Sequence, residues 1–178
     1  MALVQESTVK LNMMLQFRLA TEADLPLLEW YGQFTHFRRL YHKTYQDQCD
    51  GIRQMLLADL NGFPIGQIFI LLNFTGRKRV EVRTRGYLYA LRVLDHMRCM
   101  GIGTSLIEQA EQRLLHHGYQ WSTISVAKTN VKARRLYERL GYSIFRDDPG
   151  RWQYVNHVGT VVHVNEPCWM LEKQLKSV

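Results

Sequence analysis

The turn from Arg98 to Gly103 combines residue types that suit the binding of a phosphate group. It lies between an apolar run at 87–93, typical of a strand, and an amphipathic pattern at 104–117, typical of a helix. Glycine lets the backbone turn tightly and approach an anion closely, and the N–H groups of a helix start then point at that anion. Arg98 adds a positive charge. The pattern predicts a pyrophosphate site, although the same glycines would also suit a turn without a ligand.

A second pattern that could carry chemistry begins at Asn130. Asn130 is a good helix N-cap, and Gly141 is a typical residue just after a helix end. Within that helix, Tyr137 shares its face with Ala133 and Leu136. Tyr137 is therefore either a core aromatic residue or a phenol that donates a proton in a reaction.

The two patterns and the strands before them resemble the acetyl-CoA-binding core of the GCN5-related N-acetyltransferase (GNAT) family. The resemblance rests on Arg-x-x-Gly-x-Gly, Asn-x-x-Ala-x-x-x-Tyr and Leu-Gly-Tyr, and it covers residues 87–142. It implies an α/β (α+β) fold with helices on both faces of a twisted, mixed, mostly antiparallel sheet of about seven strands, in which strands four and five are parallel and splayed. A single acetyltransferase domain is expected over 1–178, with an N-terminal extension at 1–14 and an inserted hairpin at 147–167.

The resemblance also implies acetyl-CoA as the acyl donor. Backbone groups of strand four would pair with the pantetheine arm as an added strand would, and the glycine-bearing turn would hold the pyrophosphate. The coenzyme-binding residues implied in this way are Leu91, Arg92, Val93, Arg98, Cys99, Met100, Gly101, Ile102, Gly103, Thr104, Asn130, Ala133 and Tyr137. The family often has a proline where strand four leaves the sheet. This chain has Leu94, Asp95 and His96 there, so Asp95 brings a negative charge close to the phosphates.

Direct transfer of the acetyl group to a primary amine in a ternary complex is the implied reaction. Tyr137 matches the family position that gives a proton to the departing thiolate, and a backbone N–H near Val93 is expected to stabilise the oxyanion. Several family members carry a base on strand four at the positions that here are Tyr87 and Tyr89. Because a phenol stays protonated at neutral pH and the two tyrosines share one strand face, we expect them to line the acceptor pocket.

The general base is the missing part, since no carboxylate or histidine occurs between Gly86 and Leu94. We therefore expect a water chain to a more distant group. Glu81, just upstream of strand four, is the catalytic candidate. The other candidates are the histidines His36, His42, His157 and His163.

Two other function classes are compatible with the residues. A non-catalytic acyl-CoA-binding or sensing domain would keep the carrier site without an efficient base. The net charge of +7 favours anionic partners, and the basic cluster at 77–85 also fits an acetyltransferase that acts on a ribosomal or nucleic-acid-associated protein. Nucleic acid itself is the less favoured partner. The acceptor is expected to be a small-molecule or peptide amine, and a homodimer is left open.

Composition excludes several classes of protein. With 178 residues, 46% of them hydrophobic, the chain can bury one substantial core. The longest apolar run, 65–72, is strand-sized and therefore predicts no membrane span, and 1–15 lacks the features of a secretory signal. Cys49, Cys99 and Cys168 are widely separated, which predicts reduced thiols, no metal site and a cytoplasmic protein.

The remaining elements follow from hydrophobic patterning and turn residues. Strands are expected at 17–20, 55–60, 65–72, 87–93, 123–126, 142–145 and 168–175, and helices at 25–30, within 34–50, at 104–117 and at 130–140. Asn61 and Gly62 predict a hairpin turn between the second and third strands. A turn at 156–159 predicts the inserted hairpin.

Overall fold

A computed structural model describes residues 13–72 and 85–176 of the chain. Its strands are β1 (Leu15–Leu19), β2 (Arg53–Leu60), β3 (Phe63–Leu71), β4 (Arg85–Val93), β5 (Trp121–Ala127), β6 (Ser143–Asp148), β7 (Arg151–Val155), β8 (Val161–Asn165) and β9 (Cys168–Gln174). Its helices are α1 (Arg38–Cys49), α2 (Ile102–His116) and α3 (Val131–Arg139). None of these helices is long and apolar enough to cross a membrane.

Seven strands form one mixed sheet in the order β1-β2-β3-β4-β5-β9-β6, and β7 pairs with β8 in a separate hairpin. All neighbouring strands in the large sheet are antiparallel except β4 and β5. This parallel pair is joined by α2, as a crossover connection requires. The predicted fold class is confirmed, and so is the hairpin predicted between the last two strands of the sheet.

The parallel pair is short and then opens. β4 and β5 pair only from Arg85 to Leu88 on one strand and from Trp121 to Ile124 on the other. Beyond that point β4 continues against β3, whereas β5 continues against β9. The splay expected between the fourth and fifth strands is therefore present, and it leaves a cleft between them.

Two layers of apolar side chains cover the two faces of the sheet. On one face Leu106 and Leu114 of α2 pack with Leu88 of β4. A Cβ at Gly86 would lie 2.1 Å from the Leu114 side chain, so glycine allows α2 to lie close to β4. On the other face Tyr41 of α1 packs with Met55 and Leu57 of β2 and with Phe69 of β3.

The helix predicted at 25–30 is wrong. The segment consists of two 3₁₀ turns, Glu22–Asp24 and Leu27–Glu29. Pro26 stands between them and cannot donate a backbone hydrogen bond. Trp30 follows with a positive φ of 41°, which stops any helical continuation.

The first 3₁₀ turn is fastened to the sheet by one arginine. Arg18 of β1 donates to both carboxylate oxygens of Asp24, each at 2.7 Å, and through Nε to Asp59 of β2, also at 2.7 Å. Both carboxylates are buried. Burial by itself would raise the pKa of Asp24, but the hydrogen bonds from Arg18 and Thr21 outweigh it and hold that pKa below its usual value.

We expect Arg18→Met to lower the free energy of unfolding by about 2–3 kcal/mol, because it leaves two buried carboxylates without their cation. Urea denaturation followed by tryptophan fluorescence measures this change. Arg39→Met, which removes an exposed arginine of α1, is the matched control and should change stability by less than about 0.5 kcal/mol. The wild type should lose stability as the pH falls below 3.8, because the unfolded state then takes up the Asp24 proton first. Equal stabilities of the two variants would contradict a stabilising role of the Arg18 network.

Candidate functional site

The turn between β4 and α2 presents a run of backbone N–H groups without partners. Within the described part of the chain, none of the six consecutive N–H groups from Cys99 to Thr104 donates a hydrogen bond. The first N–H that does so belongs to Ser105, which bonds to the Gly101 carbonyl at 3.0 Å. Cys99 and Gly101 have positive φ values of 64° and 82°, and left-handed residues of this kind group neighbouring N–H vectors into anion-binding concavities. The turn therefore has the backbone geometry of an anion-binding concavity, and the binding of a pyrophosphate there stays a prediction.

Arg98 stands at the edge of this turn and is tied to it by two contacts. Its Nε donates to the Val93 carbonyl at 3.1 Å, and its Nη2 lies 2.7 Å from the Asp95 carboxylate. Both side chains are largely exposed. The carboxylate of Asp95, which the sequence predicted close to the phosphates, therefore forms an ion pair with Arg98 and partly neutralises its positive charge.

β4 contains a bulge in the segment that borders the cleft. Gln67 pairs with Arg92 and Phe69 pairs with Tyr89, so two residues of β4 stand opposite the single residue Ile68. Ala90, one of the two, has a positive φ of 54°. A bulge changes which side chains share a face, and here it puts Arg92 on the same face as Tyr89. Sequence reasoning missed this feature, because neither bulge residue is a glycine.

Tyr137 lies on the inner face of α3 and is 5% exposed. Its ring packs against Tyr142 with centroids 6.2 Å apart. Burial, with a smaller effect of Tyr87, raises the pKa of Tyr137 well above its usual value, so the phenol is protonated at neutral pH. Asn130 begins the helix as predicted, since its Oδ1 accepts from the Ala133 N–H at 3.1 Å.

Tyr87 and Tyr89 share one face of β4, as their spacing predicts. Their rings are stacked at 5.7 Å with an interplanar angle of 6°. The Tyr89 hydroxyl accepts from Arg53 Nη1 at 2.6 Å. Burial raises the pKa of Tyr87 to about 12 and also raises that of Tyr89, so neither phenol is a base at neutral pH.

A cluster of aromatic rings, which we call the aromatic wall, consists of Phe34, Phe37, Tyr41, Trp152 and Tyr154, and all of these except Trp152 belong to the same apolar layer as Tyr89. It joins α1 and a further 3₁₀ turn just before it, Thr35–Phe37, to β7 of the inserted hairpin. The rings of Phe37 and Tyr154 lie 4.9 Å apart, and those of Phe37 and Tyr41 lie 6.2 Å apart. The Arg92 guanidinium lies over Phe34 and Phe37 in the same cluster. The sequence predicted that an aromatic segment helps to shape the acceptor pocket. It did not predict that the Arg92 side chain contacts that segment.

The predicted candidates for the general base differ in their burial and in their contacts with the aromatic wall. Glu81 lies outside the described residues. His36 packs on the Phe37 ring at 4.1 Å, and burial, Arg92 and His157 together lower its pKa below 6.5, so its imidazole is neutral at pH 7. His42 and His163 are exposed side chains of α1 and β8.

The cysteines and acids form no metal site in the part of the chain that the structure describes. No group of three or more His, Cys, Asp or Glu side chains there could hold a metal ion. Cys49 and Cys99 are exposed thiols, Cys168 is a buried one, and none of the three is in a disulfide.

Comparison with known proteins places this geometry in a family. Residues 21–142 match the family described as acetyltransferase (GNAT) family. No curated protein sequence matches the chain.

Three of the solved structures that share this fold are similar to the chain over most of their length. The ribosomal-protein-S18-alanine N-acetyltransferase of Escherichia coli is 16% identical with a TM-score of 0.66, covering 93% of this chain and 96% of its own. A GNAT acetyltransferase of Streptococcus pneumoniae is 20% identical with a TM-score of 0.63, covering 92% and 100%. Arabidopsis thaliana Naa50, in complex with the bisubstrate analogue CoA-Ac-MVNAL, is 19% identical with a TM-score of 0.66, covering 90% and 98%.

At these identities the structural similarity establishes the fold, and it leaves the acceptor undetermined. The sequence match extends over more than half of the chain and includes the glycine-bearing turn, α2, β5 and α3. The protein belongs to the GNAT acetyltransferase family.

Proposed function

We propose that the protein transfers an acetyl group from acetyl-CoA to a primary amine by direct attack within a ternary complex. The observation that carries the proposal is the run of unpartnered N–H groups from Cys99 to Thr104 at the mouth of the β4–β5 cleft. A pyrophosphate would satisfy these donors, and the acyl arm of the same molecule would extend into the cleft. Family membership and the neighbour that binds a CoA-containing bisubstrate analogue support the same donor.

The donor half of the site follows the splay of the sheet. Leu91, Arg92 and Val93 of β4 lie beyond the last residue that pairs with β5, so their outer backbone groups can pair with the amides of a pantetheine arm. Met100, Ile102 and the rest of the turn would hold the pyrophosphate through backbone groups, with Arg98 as the cation. Asn130 is occupied with capping α3. It would therefore serve the coenzyme indirectly, by fixing the start of that helix.

The proton transfer to the leaving group would use Tyr137. When the amine attacks, the thioester carbonyl becomes an oxyanion, and a backbone N–H near Val93 would stabilise it. The C–S bond then breaks, the thiolate takes the phenolic proton of Tyr137, and the proton that the attacking nitrogen loses on becoming an amide returns through solvent to the phenolate. Burial raises the pKa of Tyr137, and the same low-dielectric surroundings raise the pKa of a thiol formed beside it, so the two groups remain matched.

The amine must be uncharged before it attacks. Burial of an ammonium group beside Tyr87, Tyr89 and the aromatic wall disfavours its charged form, which lowers the pKa of the bound amine. A water chain would carry the proton away. His36, neutral at pH 7 and next to the wall, and Glu81 are the two candidates that would receive it.

Two alternatives follow from the same site. A non-catalytic acyl-CoA sensor would bind the coenzyme and release no thiol in the presence of amines. An enzyme acting on a protein N-terminus is the second alternative, because the Escherichia coli neighbour is named for a ribosomal protein and Naa50 is bound to a peptide-containing analogue. Thiol release measured with a panel of small amines and short peptides separates these alternatives.

We expect Tyr137→Phe to lower kcat by roughly tenfold to a hundredfold, because it removes the proton donor to the thiolate. The affinity for coenzyme A, measured by calorimetry, should stay within about twofold, since the ring itself is retained. Tyr119→Phe is the matched control, because Tyr119 is also buried but follows the far end of α2. Unchanged thiol release in Tyr137→Phe would remove this residue as the acid.

The charge pair beside the turn gives a second prediction. Arg98→Glu should weaken coenzyme A binding by about tenfold or more, because a charge-assisted contact to phosphate is lost and a repulsive one is gained. Asp95→Asn should strengthen binding by about two- to fivefold, since it frees the exposed guanidinium of a competing carboxylate. Calorimetric titration at low salt measures both effects. Equal affinities of Asp95→Asn and Arg98→Glu would show that neither charge reaches the phosphates.

The pH dependence of kcat/KM separates the two base candidates. If His36 receives the proton, the profile contains an acidic limb with a pKa below 6.5, because protonated imidazole cannot accept another proton. His36→Gln should remove that limb, whereas Glu81→Gln should leave it in place. A limb that survives in His36→Gln and disappears in Glu81→Gln would assign the base to Glu81 instead.

A further inference from the structure

Arg92 lies in surroundings that are unusual for a cation. Its guanidinium carbon is 4.6 Å from the ring centroid of Phe34 and 4.8 Å from that of Phe37. Its one hydrogen-bond partner among the described residues is the Tyr41 hydroxyl, at 3.4 Å. Arg92 is partly buried, and burial lowers the pKa of its guanidinium, which means that the charged form is less well solvated than in water.

The carboxylates on this side of the sheet are already paired with other cations. Glu29 accepts from Arg38 and from the Thr35 hydroxyl. Asp47 pairs with Lys43 and with Arg53.

Within residues 13–72 and 85–176, no carboxylate lies within ion-pair distance of Arg92. The nearby carboxylates of Glu29 and Asp47 form their ion pairs with Arg38, Lys43 and Arg53 instead. Arg92 is thus a partly buried arginine that lacks a protein counter-ion there.

The backbone holds Arg92 in this place. Without the bulge, residues 89 and 92 would point to opposite faces of β4. The bulge at Ala90 and Leu91 turns Arg92 onto the face of Tyr89, where the side chain enters the aromatic wall. Two unfavourable features therefore coincide at the acceptor end of the cleft: a left-handed alanine and an uncompensated cation.

We propose that Arg92 binds an anionic group of the acceptor, so that the substrate is a primary amine that carries a carboxylate close to the amine. This inference rests on the proposed acetyl transfer to an amine. The Phe34 and Phe37 rings contact the guanidinium without accepting conventional hydrogen bonds, so among the described residues only the Tyr41 hydroxyl takes one of its N–H groups and the others can bind a carboxylate. The α-carboxylate of an amino acid and an acidic side chain near a peptide N-terminus share this chemistry. The aromatic wall indicates that the body of the acceptor is apolar.

Product analogues test the assignment without requiring turnover. The probes are N-acetylphenylalanine and N-acetylphenethylamine, which differ only in the carboxylate. Their affinities are measured by calorimetry on protein saturated with coenzyme A. The wild type should bind the carboxylate probe at least about tenfold more tightly, as expected for a hydrogen bond to a charged group.

Variants of Arg92 give the expected and the contradicting results. Arg92→Met should abolish the difference between the two probes and keep the affinity for the neutral one, and Arg92→Lys should retain part of the difference. Arg39→Met, an exposed arginine of α1, should behave as the wild type. Equal affinities in the wild type, a full difference in Arg92→Met, or no binding of either probe at millimolar concentration would overturn the proposal.

Thermal unfolding distinguishes a role of Arg92 in binding the acceptor from a role in packing the aromatic wall. Arg92→Met should unfold at a temperature no lower than that of the wild type, because it replaces an unpaired, partly buried charge with an apolar side chain. A drop of several degrees would assign Arg92 to the packing of the aromatic wall and would overturn the proposal.

Thiol release with pairs of amines shows whether the carboxylate is an α-carboxylate or an acidic side chain. It also tests the proposed acetyl transfer itself. Phenylalanine and phenethylamine form one pair of amines, and peptide amides beginning Met-Glu and Met-Gln form the other. Preference for phenylalanine indicates an α-carboxylate, and preference for the Glu peptide indicates a side chain. Acetylation without either preference overturns the role of Arg92 and leaves the proposed function standing. Discrimination between the binding probes with no thiol release from any amine rejects the proposed function and keeps Arg92 only as a residue that binds a carboxylate.

Discussion

The site depends on the separation of β4 from β5 after Leu88 and Ile124. Each strand keeps one neighbour, β3 or β9, so neither collapses when they part. Beyond that point the two strands no longer pair with each other, and backbone groups at such an edge are costly to bury unless another group pairs with them. The separation therefore creates an edge suited to an extended, amide-bearing ligand, and it also opens room for side chains from both layers.

The two ends of the cleft have different electrostatic character. At the end formed by the turn into α2, six N–H groups and Arg98 offer donors to an anion, with Asp95 moderating the charge. On the other side, the aromatic wall contacts the guanidinium of Arg92. Polar donors organised by backbone suit phosphates of any origin, whereas a wall of side chains discriminates among acceptors. The glycine-bearing turn and the aromatic wall thus rest on different parts of the chain.

Sequence patterns predicted the backbone conformation of the turn, of α2 and of the start of α3 well, because these signals are local. A glycine with positive φ at the start of a helix, an asparagine cap and a periodic apolar face depend on neighbouring residues alone, and Gly101, Asn130 and α2 agree with them. The prediction failed at 25–30, where apolar spacing indicated a helix but Pro26 and the left-handed Trp30 gave 3₁₀ turns. The buried pairing of Arg18 with Asp24 and Asp59 joins distant segments and has no local signature.

By itself, the sequence determined the order of the strands, the helices from α1 onward, the glycine-bearing turn before α2 and the membership of the family. Tertiary structure alone decided which face Arg92 occupies, because the bulge at Ala90 and Leu91 comes from the pairing of β4 with β3 and not from a glycine signal. It also decided that Phe34, Phe37 and Tyr154 meet, since the hairpin that carries Tyr154 is far along the chain from α1. Local spacing specifies backbone conformation, but the side-chain surroundings of an acceptor require long-range contacts.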